Sequence, residues 1–461
     1  MSNAATDRSP AMKLGIALLI GLALTIPLFC VWLMVYDREQ QSMEARAGIA
    51  EGWGGPQILG GPLLVIPYRA TVTETVTESG KPVTRTRQVW HELTLSPENV
   101  ELATGVRPER RHRSIYEAVV YEASVRGKAR FAMPPDLARL GVAMADLAPD
   151  RAELRFGVSD PRGLSPHPRV SVGGKALRLH PGRGSNLARG GGFFAWFDAA
   201  ELARSPLDVD FAYEVRGNGS LSLTPQAGDT IWRMRSPWPH PSFQGAFLPE
   251  RRSVTADGFE ATWRVGNLAL GQALVATGPP GVAGGGQPDT AEAAEADART
   301  RQAGVSLIEP VDLYSQVDRA AKYGFLFVGF TFLAFLLFDL IGGARISGVE
   351  YLLVGAALIL FFVLLLAFAE VIGFTLAYLL ASAAIVGLET AYSAAVLASW
   401  RRAAFIFALL SALYGVLYIL LSLEAYSLLI GSLLLFAALA AVMYLTRHLN
   451  WGQSGGEEEA A

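Results

Sequence analysis

The chain has 461 residues, 51% of them hydrophobic, and a formal net charge of −3. That apolar share, with a positive mean hydropathy, excludes an ordinary soluble protein and makes the lipid bilayer the first partner. The charge excludes the basic footprint of a nucleic-acid binder, and the single cysteine, Cys30, excludes an intramolecular disulfide.

Residues 1–13 are polar and carry Arg8 and Lys13. Leu14 to Tyr36 follows without a charge and contains Pro27 and Cys30. A cleaved signal peptide has an apolar region of about 7–15 residues and a small-residue cleavage site close behind it. This run is longer, and the nearest Ala-x-Ala, Ala45-Arg46-Ala47, lies well beyond its end. The pattern predicts an uncleaved transmembrane helix over 14–36, N-terminus inside, kinked at Pro27, where neighbouring helices satisfy the freed carbonyl.

Residues 37–322 form a large insert, expected outside the membrane and long enough for one large or two small domains. Glu39 to Ile49 continues the first helix outward. Trp53-Gly54-Gly55-Pro56-Gln57-Ile58-Leu59-Gly60-Gly61-Pro62 is a turn-rich block leading into a buried strand, Leu63 to Tyr68. A phosphate-cradling loop needs the strand in front and a helix behind, so this block reads as a packed turn. Strand-like alternation follows. Arg69–Thr77 and Val83–Leu95 flank a turn at Glu78-Ser79-Gly80-Lys81, and Ile115–Val125 and Lys128–Met133 read as a hairpin about Gly127. Arg151–Val158 is strand-like, and Val170–Val172 with Ala176–Leu179 makes a compact hairpin. Leu207–Arg216 and Ser220–Thr224 make another around Gly217-Asn218-Gly219, because Asn-Gly is a strong hairpin cue; the glycosylation sequon Asn218-Gly219-Ser220 adds nothing to that reading.

Ser236-Pro237-Trp238-Pro239-His240-Pro241-Ser242-Phe243 cannot be helical with prolines at every second place. It is expected as an aromatic edge, either covering the domain's own sheet or, through Trp238, His240 and Phe243, meeting a partner. Ser253–Val265 is a strand pair around Asp257-Gly258, residues 277–303 have the composition of a flexible loop, Val305–Ile308 is a closing strand, and Val311–Lys322 is a polar helical lead-in.

From Tyr323 to Tyr444 the chain is almost continuously apolar. A span needs about 20 residues at ~1.5 Å each. Five are predicted: Tyr323–Ile341, Tyr351–Ala369, Val371 to about Ser399, Ala403–Leu423 and Ala425–Tyr444. Arg345, Arg401, Arg402 and Arg447 fall on alternate turns, and Glu370 and Glu424 on the others. Cationic loops stay in the cytoplasm, so 342–350, 400–402 and the tail 445–461 are expected inside. Asp318, Arg319 and Lys322 depart from this, as charges beside a long translocated domain are free to do. The expected fold is therefore a membrane protein of six transmembrane α-helices, one N-terminal and five C-terminal. Its large outer insert is β-rich, β-sandwich-like or α+β.

Candidate chemical sites mostly fail. His91-Glu92 begins like a zinc-protease helix, but Leu95 stands where the second ligand belongs, on a strand. Gly452-Gln453-Ser454-Gly455-Gly456 has the letters of a hydrolase elbow in a polar tail. Gly182-Arg183-Gly184 lacks the rest of a dinucleotide fingerprint. No catalytic residue, metal site or cofactor is assigned. Among the intramembrane acids Asp339, Glu370 and Glu424 sit near span ends, whereas Glu389 lies deep, and charge at depth points to function or pairing.

Three blocks resemble the CreD family of bacterial inner-membrane proteins. They are Trp53 and Gly55-Pro56-Gln57 through Gly61-Pro62-Leu63 to Pro67; Trp238-Pro239-His240-Pro241-Ser242-Phe243 with Gly245 and Phe247-Leu248-Pro249; and Val311–Tyr323, with Tyr314, Asp318-Arg319 and Lys322, running on to Thr331-Phe332 and Tyr351–Gly355. The resemblance covers nearly the whole chain and departs at 277–303. It implies a Gram-negative inner membrane and, in some members, control by an envelope-stress two-component system, with no established enzyme activity and no assigned catalytic residues. The expected role is thus non-enzymatic: a periplasmic domain that binds an envelope partner. A second reading, transport of an ion or small lipid-like solute through the helices, rests on Glu389.

Overall fold

The computed structural model describes residues 10–78, 81–113, 116–184, 191–279, 301–307, 313–341, 347–396, 399–422 and 427–447. The turn at 79–80, most of the 277–303 loop, the side chains of Asp339 and Glu424 and the tail from 448 onward lie outside the described residues. The chain divides into two compact units, Glu44–Pro310 and Met1–Met43 with Val311–Ala461.

The first unit is built from strands β1 Gln57–Glu78, β2 Lys81–Leu95, β3 Asn99–Arg113, β4 Tyr116–Phe131, β5 Ala152–Val158, β6 Arg169–Val172, β7 Lys175–Ala176, β8 Leu179–Pro181, β9 Gly192–Phe197, β10 Leu207–Asn218, β11 Ser220–Thr224, β12 Asp229–Ser236, β13 Pro241–Gly245, β14 Arg251–Thr255, β15 Gly258–Gly266, β16 Val275–Gly278 and β17 Ala303–Leu307. One sheet runs β13-β17-β11-β1-β5-β9-β8, with β2 joining β1 to β16. The other runs β14-β15-β12-β3-β4-β10-β6-β7. Along β10, Leu207, Val209, Phe211, Tyr213 and Val215 are buried, while Asp208, Asp210, Glu214 and Arg216 are exposed, the two-residue period of a sheet with one dry face.

The dry faces of both sheets meet in one core. Phe156 and Phe193 of the first sheet pack on Phe211 and Tyr213 of the second, with ring centroids 5.3 Å apart for Phe156–Phe211 and 5.6 Å for Phe193–Tyr213. Trp232 stacks on Trp263 at 4.7 Å, and its indole N–H donates to Thr104 Oγ1 at 2.9 Å, so the buried polar atom is satisfied. The result is a two-sheet β sandwich.

Two expected hairpins are absent. β4 runs through Gly127 unbroken, paired with β3 on one side and β10 on the other. Gly127 serves packing there, since a Cβ would strike the ring of Phe211. Asn218-Gly219 does not fold β10 back on β11. β10 belongs to one sheet and β11 to the other, where it pairs with β1 in parallel and with β17 antiparallel. Gly219, at φ +65°, is the point where the chain changes sheets. The pairs β1–β2, β6–β7 and β14–β15 form as expected.

The second unit holds most of α1 Pro10–Trp53, then α2 Leu313–Lys322, α3 Gly324–Ile341, α4 Gly348–Ile372, α5 Phe374–Val396, α6 Trp400–Ser422 and α7 Ser427–Thr446. Four helices are long and apolar enough to cross a membrane among the described residues: Met12–Ile49, Gly348–Ile372, Phe374–Val396 and Trp400–Leu421. This is one N-terminal and three C-terminal segments, against the six expected. α1 continues past Tyr36 and through Pro27 without interruption to Trp53. The α4–α5 break falls at Gly373, φ +79°, rather than at Glu370. Ser347 and Glu350 form a reciprocal capping box that starts α4.

Candidate functional site: two clasps on the first helix

The block Trp53–Pro62 closes the last turn of α1 into the sandwich. Gly54 adopts φ +124° close beside the Arg216 carbonyl, which leaves no room for a side chain. The chain then enters β1 at Gln57, which is fully buried. The Gln57 amide uses both ends. Its Nε2 donates to the carbonyls of Asp160 (3.1 Å) and Arg216 (2.8 Å), and its Oε1 accepts from Asp160 N (3.2 Å) and Ser159 Oγ (3.3 Å). The Pro56 carbonyl accepts from Ser159 Oγ at 3.2 Å, and Gly55 N–H donates to Asp160 Oδ2 at 3.0 Å. That carboxyl is held down at about 2, chiefly by the hydrogen bond from Arg162, with the Gly55 N–H assisting.

The Trp53 indole ring carries two guanidiniums, Arg111 at 3.8 Å and Arg216 at 4.7 Å from its centroid, and its N–H donates to the Tyr121 carbonyl at 3.3 Å. Tyr121 is buried and donates to the Ser220 carbonyl at 2.6 Å; burial pushes its phenol well above the ordinary range. Gly61, at φ +82°, donates to Gln226 Oε1 at 2.7 Å and is followed by a cis bond to Pro62. The motif therefore ties α1 to β1, β4, β10 and the 159–163 turn.

The second clasp is Asp318, on α2. Its Oδ1 accepts from the Trp32 indole of α1 at 3.0 Å, and its Oδ2 pairs with Lys322 Nζ at 2.6 Å. Its neighbour Arg319 is half-buried and donates to the Ser315 carbonyl at 3.3 Å. Tyr314 donates to Glu370 Oε1 at 3.3 Å, and Arg38 Nε lies 3.9 Å from the same oxygen. Each of the two polar blocks that carry the family resemblance thus meets a tryptophan of α1 within its own unit, Asp318 at Trp32 and the Gly54–Pro62 block at Trp53.

The aromatic block lies elsewhere. Trp238 belongs to the core; its indole donates to the His240 carbonyl at 3.1 Å, and Arg110 covers its ring. Phe243 turns inward on Phe259 (5.7 Å) and Trp263 (5.8 Å). His240 is exposed. The block thus packs two of its three aromatic rings against the domain itself, and β13 forms the end of its sheet.

Partners far apart in sequence stayed hidden. Besides Asp160, Tyr121 and Arg216, these include a largely buried ionic cluster on the face of the first sheet opposite Leu154 and Phe156. Arg155 bonds Glu92 through two nitrogens (2.8 and 3.1 Å) and Glu153 at 2.9 Å, while Arg183 and the Trp196 indole also reach Glu153. Burial works against the Arg155 charge, but the bonds and charges of Glu92 and Glu153 outweigh it and raise its pKa. Glu92, the false start of a metal motif, is spent in this cluster. Glu389 is buried on α5, 1% exposed, and neither carboxyl oxygen has a hydrogen-bond partner.

A long first helix, a large β sandwich and a set of apolar helices define an integral membrane protein with a large β-rich unit between its first helix and the later ones. The chain belongs to the CreD family: the family model "Inner membrane protein CreD" matches residues 9–452. It is 32% identical over 434 residues to the inner membrane protein CreD of Escherichia coli (strain K12), covering 93% of this chain and 91% of that protein.

Proposed function

We propose that the protein is a non-enzymatic, six-span inner-membrane protein that supports envelope integrity by binding an envelope protein through its β sandwich, held in the periplasm. α3 and α7 supply the two further spans, which brings both termini to the cytoplasm under the charge rule. The observation that carries this reading is β13. It is the end strand of its sheet, bonded to β17 on one side and anchored from beneath by Trp238 and Phe243, with Gln244 exposed. An anchored edge of this kind accepts an added strand from a partner, with backbone bonds for affinity.

A photoreactive residue at Gln244 tests it in native membranes. We expect one discrete protein adduct, absent when the probe replaces Arg264 on the other sheet. No adduct, or the same adducts from both positions, would count against β13 as the contact. The transport reading has no support beyond Glu389.

A further inference from the structure

Two charged side chains are buried among the described residues, Glu153 and Glu389. Glu153 is surrounded by Arg155, Arg183 and the Trp196 indole. Glu389 has no hydrogen-bond partner for either oxygen. The contrast is informative, because a bare carboxylate in an apolar interior costs several kcal/mol and persists where a proton or a bound cation neutralises it.

Its surroundings supply oxygen. The buried stripe of α5 runs Phe374, Ala377, Tyr378, Ala381, Ile385, Glu389, Ser393, at helical spacing, so Glu389 and Ser393 face the bundle interior one turn apart. Ser393 is 1% exposed and its Oγ has no partner; nor does Thr390 Oγ1. Tyr414 of α6 is 3% exposed, its hydroxyl also lacks a partner, and it lies within electrostatic reach of the Glu389 carboxyl. Thr331 of α3 is fully buried and its hydroxyl unpartnered. Its level follows from one ring contact and one electrostatic neighbour. Tyr392, three residues beyond Glu389, feels the charge of Glu350 on α4. Tyr351, next to Glu350, packs its ring 5.4 Å from Phe332, next to Thr331. The carboxyl and the unpartnered hydroxyls of three helices therefore sit within about a turn or two of one level in the bundle.

We propose that Glu389, with the hydroxyls of Thr331, Ser393 and Tyr414, binds a monovalent metal cation inside the helical unit. Hard oxygen donors select hard cations. One carboxylate among neutral hydroxyls balances a single positive charge; a divalent ion would leave an uncompensated charge in low dielectric. A proton would occupy one oxygen and leave the hydroxyls unmatched, whereas an alkali ion takes several oxygens at once. The cation links α3, α5 and α6 through their side chains and makes the helical unit depend on the ion present.

The test uses full-length protein in lipid nanodiscs and radioactive ²²Na⁺, with choline replacing sodium at constant ionic strength. The wild type binds Na⁺ saturably, and Glu389→Gln, of the same shape without the charge, abolishes binding. Ser393→Ala and Tyr414→Phe each raise the half-saturating concentration about tenfold, the effect of losing roughly 1.4 kcal/mol. Absence of saturable binding by the wild type overturns the proposal, as does binding retained by Glu389→Gln. Should Glu389→Gln fail to insert, unchanged affinity in both hydroxyl variants overturns it equally.

Discussion

Gln57→Leu tests the clasp at Trp53–Pro62 most sharply. Leucine fills nearly the same volume, so little cavity forms and the loss is one of hydrogen bonding. Removing the amide orphans the carbonyls of Asp160 and Arg216 and the N–H of Asp160. Each buried group left unmade costs about 1–3 kcal/mol, so the three together cost roughly 3–9 kcal/mol. That is a large part of the ~5–15 kcal/mol that holds a domain folded. At about 2–4 °C per kcal/mol for a domain of this size, the sandwich of the full-length protein should melt at least ~6 °C lower. Tryptophan fluorescence of the detergent-solubilised protein follows it, since Trp232 and Trp263 are buried in the sandwich core. A Gln57→Leu protein melting within a degree of wild type would refute the clasp as a source of stability.

The Asp160 carboxyl, held at about 2 against an ordinary 3.8, contributes stability that is present above about pH 4 and lost as pH falls from there towards 2; Asp160→Asn should flatten the acid limb of unfolding in that window and leave its neighbours on the pH axis unchanged. Arg155→Met leaves Glu92 and the buried Glu153 without their shared cation, a loss of about 3–5 kcal/mol for a broken buried pair, seen as a lower urea midpoint. Arg264→Met, at an exposed pair with Asp229, should leave the midpoint unchanged; equal effects of the two substitutions would contradict the difference drawn between them.

What could be read in advance followed physical range. The apolar spans, the polar clusters between them and the pairs β1–β2, β6–β7 and β14–β15 are local features, written in consecutive residues. The strip at Ser236–Phe243 reads as extended because alternate prolines allow nothing else, and β13 lies there. Gly127 and Asn218-Gly219 misled because glycine serves two ends. At 127 it makes room for Phe211 across the strand, and at 219 it lets the chain leave one sheet for the other. Both uses depend on residues distant in sequence. β12 carries a legible two-residue period, Thr230, Trp232 and Met234 buried between Ile231, Arg233 and Arg235. β3 is harder to read, since five of the seven residues of its far end, Arg107–Arg113, are charged and it is held by pairing with β4. The candidate site divides the same way: Trp53–Pro62 and Asp318 were marked by their residue types, while Asp160, Arg216, Tyr121 and Trp32 are joined to them only by the fold.

The most direct measurement of the account is the sidedness of the sandwich. In a Cys30→Ser background, single cysteines replace Lys128 on β4 and Arg401 at the start of α6, both exposed, and spheroplasts are treated with a membrane-impermeant maleimide. A periplasmic sandwich gives immediate labelling at 128 and labelling at 401 only after the membrane is permeabilised. Labelling at 401 in intact spheroplasts, with 128 protected, would invert the topology and remove the envelope role with it.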